Sequence, residues 1–186
     1  MSRAGLDDRI VLEAALEITD RGGLEQLTLV AVAKKLGVRP PALYNHVNGL
    51  PDLRNKLMID GLHRLKDELA RATAGQTGDD AVWAASQAYL AFARKHPGLY
   101  EATQRPQHWQ DGDVQEALRQ LMDIIFRIVS PFGLDEEAAV HTVRGLRSLL
   151  HGFASLEGQG GFGMPLNVDE SFRFVVYTFL AGIQSR

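Results

Sequence analysis

The sequence predicts an all-α protein of about nine helices. Three observations carry that expectation. Apolar residues recur at three- and four-residue spacing in nearly every segment, no stretch shows sustained two-residue alternation, and Gly, Pro, Asp and Thr stand where helices would start and stop. No internal repeat is visible.

Asp7 or Asp8 can cap a first helix with apolar positions Ile10, Ala14 and Ile18, ended by Gly22-Gly23. Thr28 is a natural N-cap for a second helix with Leu29, Val32, Ala33 and Leu36 on its inner side, and Gly37 supplies the following turn. Pro40 and Pro41 are tolerated only in a first helical turn, so a third helix starts there and runs to about His46. Three helices of this size bury too little surface to be very stable alone, so they must lean on the later helices of the chain.

A fourth helix runs from Pro51 to about Ala72 with Leu53, Leu57, Leu62, Leu65 and Leu69 as contacts, and a polar break comes next at residues 73–79. A fifth, Asp80 to His96, places Val82, Ala85, Tyr89, Phe92 and Ala93 on one face. Pro97 starts a short sixth helix near Gly98 to Thr103, and Arg105 to Asp111 reads as a loop. The seventh, from about Asp113 to Pro131, repeats Leu118, Leu121, Met122, Ile125 and Val129. Asp135 caps an eighth helix to about Leu156, a Gly-rich loop comes after it, and a last helix begins at Asp169 with Phe172, Val175, Val176, Phe179 and Ile183.

The chain's 186 residues, 45% of them apolar and 23% charged, have the composition of an ordinary globular protein. With no cysteine, disulfides and thiolate metal sites are excluded, and a reducing cytoplasm is the expected setting. No apolar run approaches the roughly 18 residues that span a bilayer, and no signal-peptide core opens the chain, so no membrane partner is expected. Residues 28–56 carry five basic side chains (Lys34, Lys35, Arg39, Arg54, Lys56) against Asp52, whereas residues 61–186 carry twelve basic against fifteen acidic. A locally cationic segment on an acidic body fits a nucleic-acid-binding head, although a solvated Lys/Arg cluster gives the same count.

Residues 28–47 therefore read as helix, Gly turn, helix, with Tyr44, Asn45 and His46 on the outer face of the second helix. That is a helix-turn-helix layout, in which the second helix enters the DNA major groove. The residues Leu27-Thr28, Val32-Ala33, Leu36-Gly37-Val38 and Ala42-Leu43-Tyr44-Asn45-His46-Val47, followed by Leu53, resemble the DNA-binding head of the TetR family of bacterial repressors. The resemblance implies residues 1–50 as the DNA-binding domain and 51–186 as a ligand-binding and dimerisation domain. In such proteins a Lys that holds a DNA phosphate often introduces the fourth helix; this chain has Leu50 there, with Arg54 or Lys56 as possible substitutes. His151-Gly152 in the eighth helix is similar to a His-Gly regulatory-domain subtype (WHG), without the Trp that precedes it there.

Thr28, at a helix N-terminus, can offer its hydroxyl and free N–H groups to a phosphate. By resemblance Tyr44 and His46 also touch the backbone, with Lys56 as a further candidate. Arg39 suits a guanine edge and Asn45 an adenine edge, while Pro40 and Pro41 would supply apolar contact such as to a thymine methyl. Plainer roles stand beside these: Tyr44 packed on the first helix, His46 capping a helix C-terminus, and Thr28 a simple N-cap.

Two copies of such a head would read a near-palindromic double-stranded operator. A homodimer is expected through Gly145, Ser148, Gly152 and Ser155, a stripe of small residues on the eighth helix, and Phe172, Val176 and Phe179 on a ninth that is apolar almost all round. A small, mostly apolar effector is expected among Tyr89, Phe92, Tyr100, Trp109, Met122 and Phe126, with Arg147 and His151 as polar fixtures. Most of those aromatics could equally be core, and Arg147 could face water.

An enzyme is the less favoured reading: Gly-x-Ser-x-Gly, His-Glu-x-x-His, P-loop and dinucleotide motifs are missing, and the six histidines lack paired metal spacing. Neither a cofactor nor a metal is expected. A helical adaptor without DNA binding, and an activator rather than a repressor, remain the alternatives.

Overall fold

The computed structural model describes residues 6–105 and 111–185. Among them are eight α-helices and three short 3-10 helices, and no strand. The α-helices are α1 (Asp8–Gly22), α2 (Leu29–Leu36), α3 (Leu50–Ala72), α4 (Gly78–Lys95), α5 (Pro97–Gln104), α6 (Gly112–Val129), α7 (Glu136–Gly158) and α8 (Val168–Gln184). The 3-10 helices are Leu24–Gln26, Pro40–Asn45 and Ser130–Phe132. The third helix expected from sequence is thus the 3-10 segment Pro40–Asn45, and the eighth and ninth are α7 and α8.

Caps obey the chemistry the sequence offers. Asp7 accepts the N–H of Ile10 at 2.7 Å, Thr28 that of Ala31 at 3.0 Å and Asp135 that of Ala138 at 2.8 Å. Asn167 caps α8, accepting from the N–H groups of Asp169 at 2.8 Å and Glu170 at 3.3 Å. One face differs from expectation. The first helix buries Val11, Ala14, Ala15 and Thr19, while Ile10 and Ile18 are only half-buried.

The chain divides into two compact units, Met1–Arg64 with His96–Leu118, and Leu65–Lys95 with Arg119–Arg186. The first holds everything expected of the N-terminal head, together with α5 and the opening parts of α3 and α6. Its core is aliphatic: Val11, Leu27, Val32, Leu43, Leu53, Leu57, Leu99 and Val114 are fully buried. Here α5 lies hard against α1. A Cβ built on Gly98 would stand 2.2 Å from the Thr19 carbonyl carbon, so only glycine allows this approach. Asp20 then closes the joint: one carboxylate oxygen accepts the N–H groups of Gly98 at 3.0 Å and Leu99 at 3.1 Å, and the other lies 3.0 Å from His96 Nδ1. An α1 carboxylate thereby satisfies donors at the N-terminus of α5.

In the second unit α4, α7 and α8 enclose a core of Val82, Leu90, Val143, Leu146, Leu150, Val176 and Leu180. Phe153 meets the edge of Phe172 at 4.9 Å between ring centroids. Arg94, at the end of α4, clamps both ends of the loop joining α7 to α8. It binds Glu157 through Nε at 2.8 Å and Nη2 at 2.6 Å, and Asp169 through Nη2 at 2.6 Å.

Candidate nucleic-acid interface

The interface is assembled in the first unit. Thr28 is extended (φ −135°, ψ 153°) and caps α2, so its hydroxyl serves the local helix while the residue stays exposed. At the other end of α2, Gly37 takes the left-handed conformation (φ 66°, ψ 28°), which a side chain would resist. The Val38 N–H reaches the Ala33 carbonyl at 3.0 Å, closing the helix by a six-to-one bond.

Arg39 is extended (φ −82°, ψ 144°), as the residue before a proline must be, and Pro40-Pro41 open the recognition segment. This segment is a 3-10 helix, a correction to the ordinary helix expected. With three residues per turn, Pro41 and Tyr44 align on one row, Asn45 lies on the neighbouring row and Arg39 stands just before the segment. All four are exposed, as is Pro40, with Tyr44 at 60%. Leu43 at 0% and Val47 at 3% exposure anchor the inner side.

His46 and Lys56 have partners within the protein. His46 Nδ1 lies 2.7 Å from Asp8 Oδ1, and its side chain keeps only 16% exposure. Lys56 Nζ donates to the His46 carbonyl at 2.5 Å, lies 3.4 Å from Asp8 Oδ2, and is 3.9 Å from Asp52. The His46 ring first, then the Lys56 ammonium, hold the Asp8 carboxyl below its usual range. Asp52 in turn accepts the Asn48 N–H at 2.8 Å. Sequence reasoning missed Asp8 in this group because it lies 38 residues from His46, where no local spacing betrays the contact.

Of the remaining cations, Lys35 pairs with Glu17 at 2.6 Å, Lys34 is exposed and Arg54 is half-buried. Arg54 lines a small cleft with Leu24, Met58 and Ala102. Leu50, where a phosphate-holding lysine is expected by resemblance, is the first residue of α3.

Residues 82–179 match the family model described as "Tetracyclin repressor-like, C-terminal domain". An uncharacterized HTH-type transcriptional regulator of Bacillus subtilis, YobS, is 38% identical over 97% of this chain and 94% of its own. The chain belongs to the TetR family of transcriptional regulators. A second relative, the uncharacterized HTH-type regulator Rv0681 of Mycobacterium tuberculosis, is 36% identical over 98% of this chain and 84% of its own. A solved protein of unknown function from Rhodococcus sp. RHA1 superposes with a TM-score of 0.82 at 26% identity, covering 97% of this chain and 96% of that one. The protein is accordingly a DNA-binding transcriptional regulator. The finer expectation of a His-Gly regulatory subtype is not confirmed by the match.

The C-terminal region of this TetR-family chain departs from expectation at several residues. Tyr89 and Phe92 are buried on α4, Met122 and Phe126 are half-buried on α6, and Tyr100 is buried on α5 in the first unit. His151 is half-buried, and Trp109 lies outside the described residues. Arg147 is exposed, because Leu146 and Leu150 take the inner face of α7; it is no fixture of an interior cavity.

On α8, Phe172 and Val176 are 3% and 0% exposed within the chain's own core, which corrects their assignment to a dimer face. Gly145 is used internally too: a Cβ there would come within 3.0 Å of the Phe179 ring, so Phe179 is half-spent on its own chain. Ser155 is half-buried and accepts from Gln159 Nε2 at 3.1 Å. Ser148 and Gly152 do line an open, largely apolar groove of about 870 Å³ with Leu149, Leu156, Phe162, Leu166 and Phe174. Phe174, on the helix read from sequence as apolar almost all round, is 74% exposed, and Leu166, which sequence reasoning left out, is 68% exposed.

Proposed function

We propose that this TetR-family regulator is a homodimeric repressor that holds a near-palindromic operator and is released by a small, mostly apolar molecule. The observation that carries the DNA half is the joint exposure of Arg39, Pro41, Tyr44 and Asn45 around the buried anchors Leu43 and Val47. Arg39 and Asn45 have the donor and acceptor sets that read guanine and adenine edges, Pro40 and Pro41 offer rigid apolar contact, and Thr28 and Tyr44 face phosphates. One head makes few contacts. Two, related by a two-fold axis, would enter major grooves about 34–36 Å apart.

The groove beside Phe174 supports the dimer, since an exposed apolar surface of this extent is costly to leave in water. The effector reading rests on the apolar and aromatic side chains of the second unit, Tyr89, Phe92, Met122 and Phe126. An effector acts by preferring the non-binding state, a coupling of roughly 1–3 kcal/mol in such systems.

Selection of bound duplexes from a random DNA pool tests the reading. The wild type should enrich a near-palindrome whose binding weakens steeply with salt. Enrichment of no symmetric sequence would remove the dimeric-repressor reading.

A further inference from the structure

The recognition segment is six residues of 3-10 helix, a length with little stability of its own. Its leading end is fixed covalently, by the Gly37 turn and two prolines. At its trailing end the chain turns at once into α3 through Gly49 (φ 91°). The last carbonyl there, that of His46, is the kind of group a helix C-terminus leaves without an intrahelical partner. Lys56, one turn and a half into α3, supplies the missing donor at 2.5 Å. The same ammonium lies 3.4 Å from Asp8, the first residue of α1, whose other oxygen is 2.7 Å from the His46 ring.

We infer that Asp8, His46 and Lys56 form a three-way tether that positions the recognition segment, and that Lys56 is not a phosphate ligand. Three separate elements, α1, the recognition segment and α3, meet at this one cluster. A lysine free to clamp a phosphate would extend its head group into water; this one is turned back onto a carbonyl and two carboxylates. Asp8 sharpens the point. An exposed carboxylate beside a DNA-binding surface repels phosphates, so its presence costs affinity unless it holds something in place.

The inference rests on the DNA-binding reading, and the duplex recovered by selection is the probe. Binding is measured at four salt concentrations for the wild type, Asp8→Ala, Asp8→Asn and Lys56→Met. Each variant should weaken binding about three- to tenfold at every salt, as loss of one ordinary net hydrogen bond would, with the wild-type salt slope retained. The double variant Asp8→Asn/Lys56→Met should lose no more than the worse single variant. Asp8→Asn keeps the volume of an exposed side chain, so it keeps the fold where a larger change does not. Tighter or unchanged binding by both Asp8 variants would overturn the tether. So would a slope that falls by about 0.9 per head in Lys56→Met, the signature of a lost phosphate contact. A wild type that retains no duplex at any salt removes the DNA reading itself, an outcome distinct from either.

Discussion

Asp8 shows how much one exposed side chain can decide. Its carboxyl titrates below the usual range because the protonated form gives up the His46 and Lys56 interactions. The unfolded-state value is about 3.9. With the folded value lower, its contribution is fully present above about pH 4 and is lost as the pH falls through the folded value. Asp8→Asn should therefore melt below the wild type at neutral pH, and the two melting curves should converge in acid. Thermal unfolding measured across the acid range by circular dichroism checks this; a gap that widens towards low pH would contradict it. Gly98 is the second decisive residue. The atoms a Cβ would strike, the Thr19 carbonyl carbon and oxygen at 2.2 and 2.3 Å, are backbone and cannot swing aside. Gly98→Ala must push α5 off α1, and overpacking of this kind costs about 1–3 kcal/mol. A urea midpoint within error of the wild type would show that the joint is looser than it looks.

Among whole elements, those readable from sequence are the ones specified locally. Thr28, Gly37 and Pro40-Pro41 announce α2, the turn and the recognition segment through capping, left-handed backbone and fixed φ, all of which act within a few residues. Leu53, Leu57, Leu62, Leu65 and Leu69 likewise gave α3 its buried face correctly, since a single apolar stripe admits one orientation. Where apolar residues surround a helix, that logic fails. In α8, Phe172, Val176 and Leu180 are four apart and point inward, while Phe174 lies on the opposite side and is left exposed. Composition cannot choose between these faces; only the packing of α4 and α7 does. The same is true of the first helix, where Val11 and Ala15 won the core over Ile10 and Ile18. Long-range charge partners were the other blind spot. Arg94 meets Glu157 and Asp169 across 63 and 75 residues, and both carboxylates raise the affinity of its guanidinium for its proton. Because this clamp holds both ends of the α7–α8 loop, Arg94→Met should speed hydrogen exchange across residues 159–167. Exchange unchanged there, with the rest of the chain intact, would mean that the loop is held by its apolar side chains alone.

For the molecule as a regulator, the decisive quantity is whether two heads act together. Phosphate contacts set affinity and its salt dependence, and in our proposal each head offers Thr28 and Tyr44 for them. Joining two heads makes the second binding event intramolecular, which multiplies affinity without a new contact. The groove lined by Ser148, Gly152, Leu156, Phe162, Leu166 and Phe174 is the surface on which that joining depends in our proposal. Phe174 is the best point of attack, because at 74% exposure it contributes little to the chain's own core. Phe174→Glu should therefore leave the melting temperature of dilute protein nearly unchanged while sedimentation shifts from dimer to monomer. On the selected duplex, the monomer should lose at least about a hundredfold in affinity, at the lower end of what linkage supplies. Its salt slope should fall to about half that of the wild type, since half as many phosphates are neutralised per binding event. Tyr44→Ala provides the contrast: a dimer still, with binding weakened on every sequence alike. If Phe174→Glu remained dimeric, the association surface would lie elsewhere on α7 and α8. If it became monomeric yet kept the wild-type slope, one head would be carrying all of the phosphate contacts, and the symmetric operator would have no physical basis.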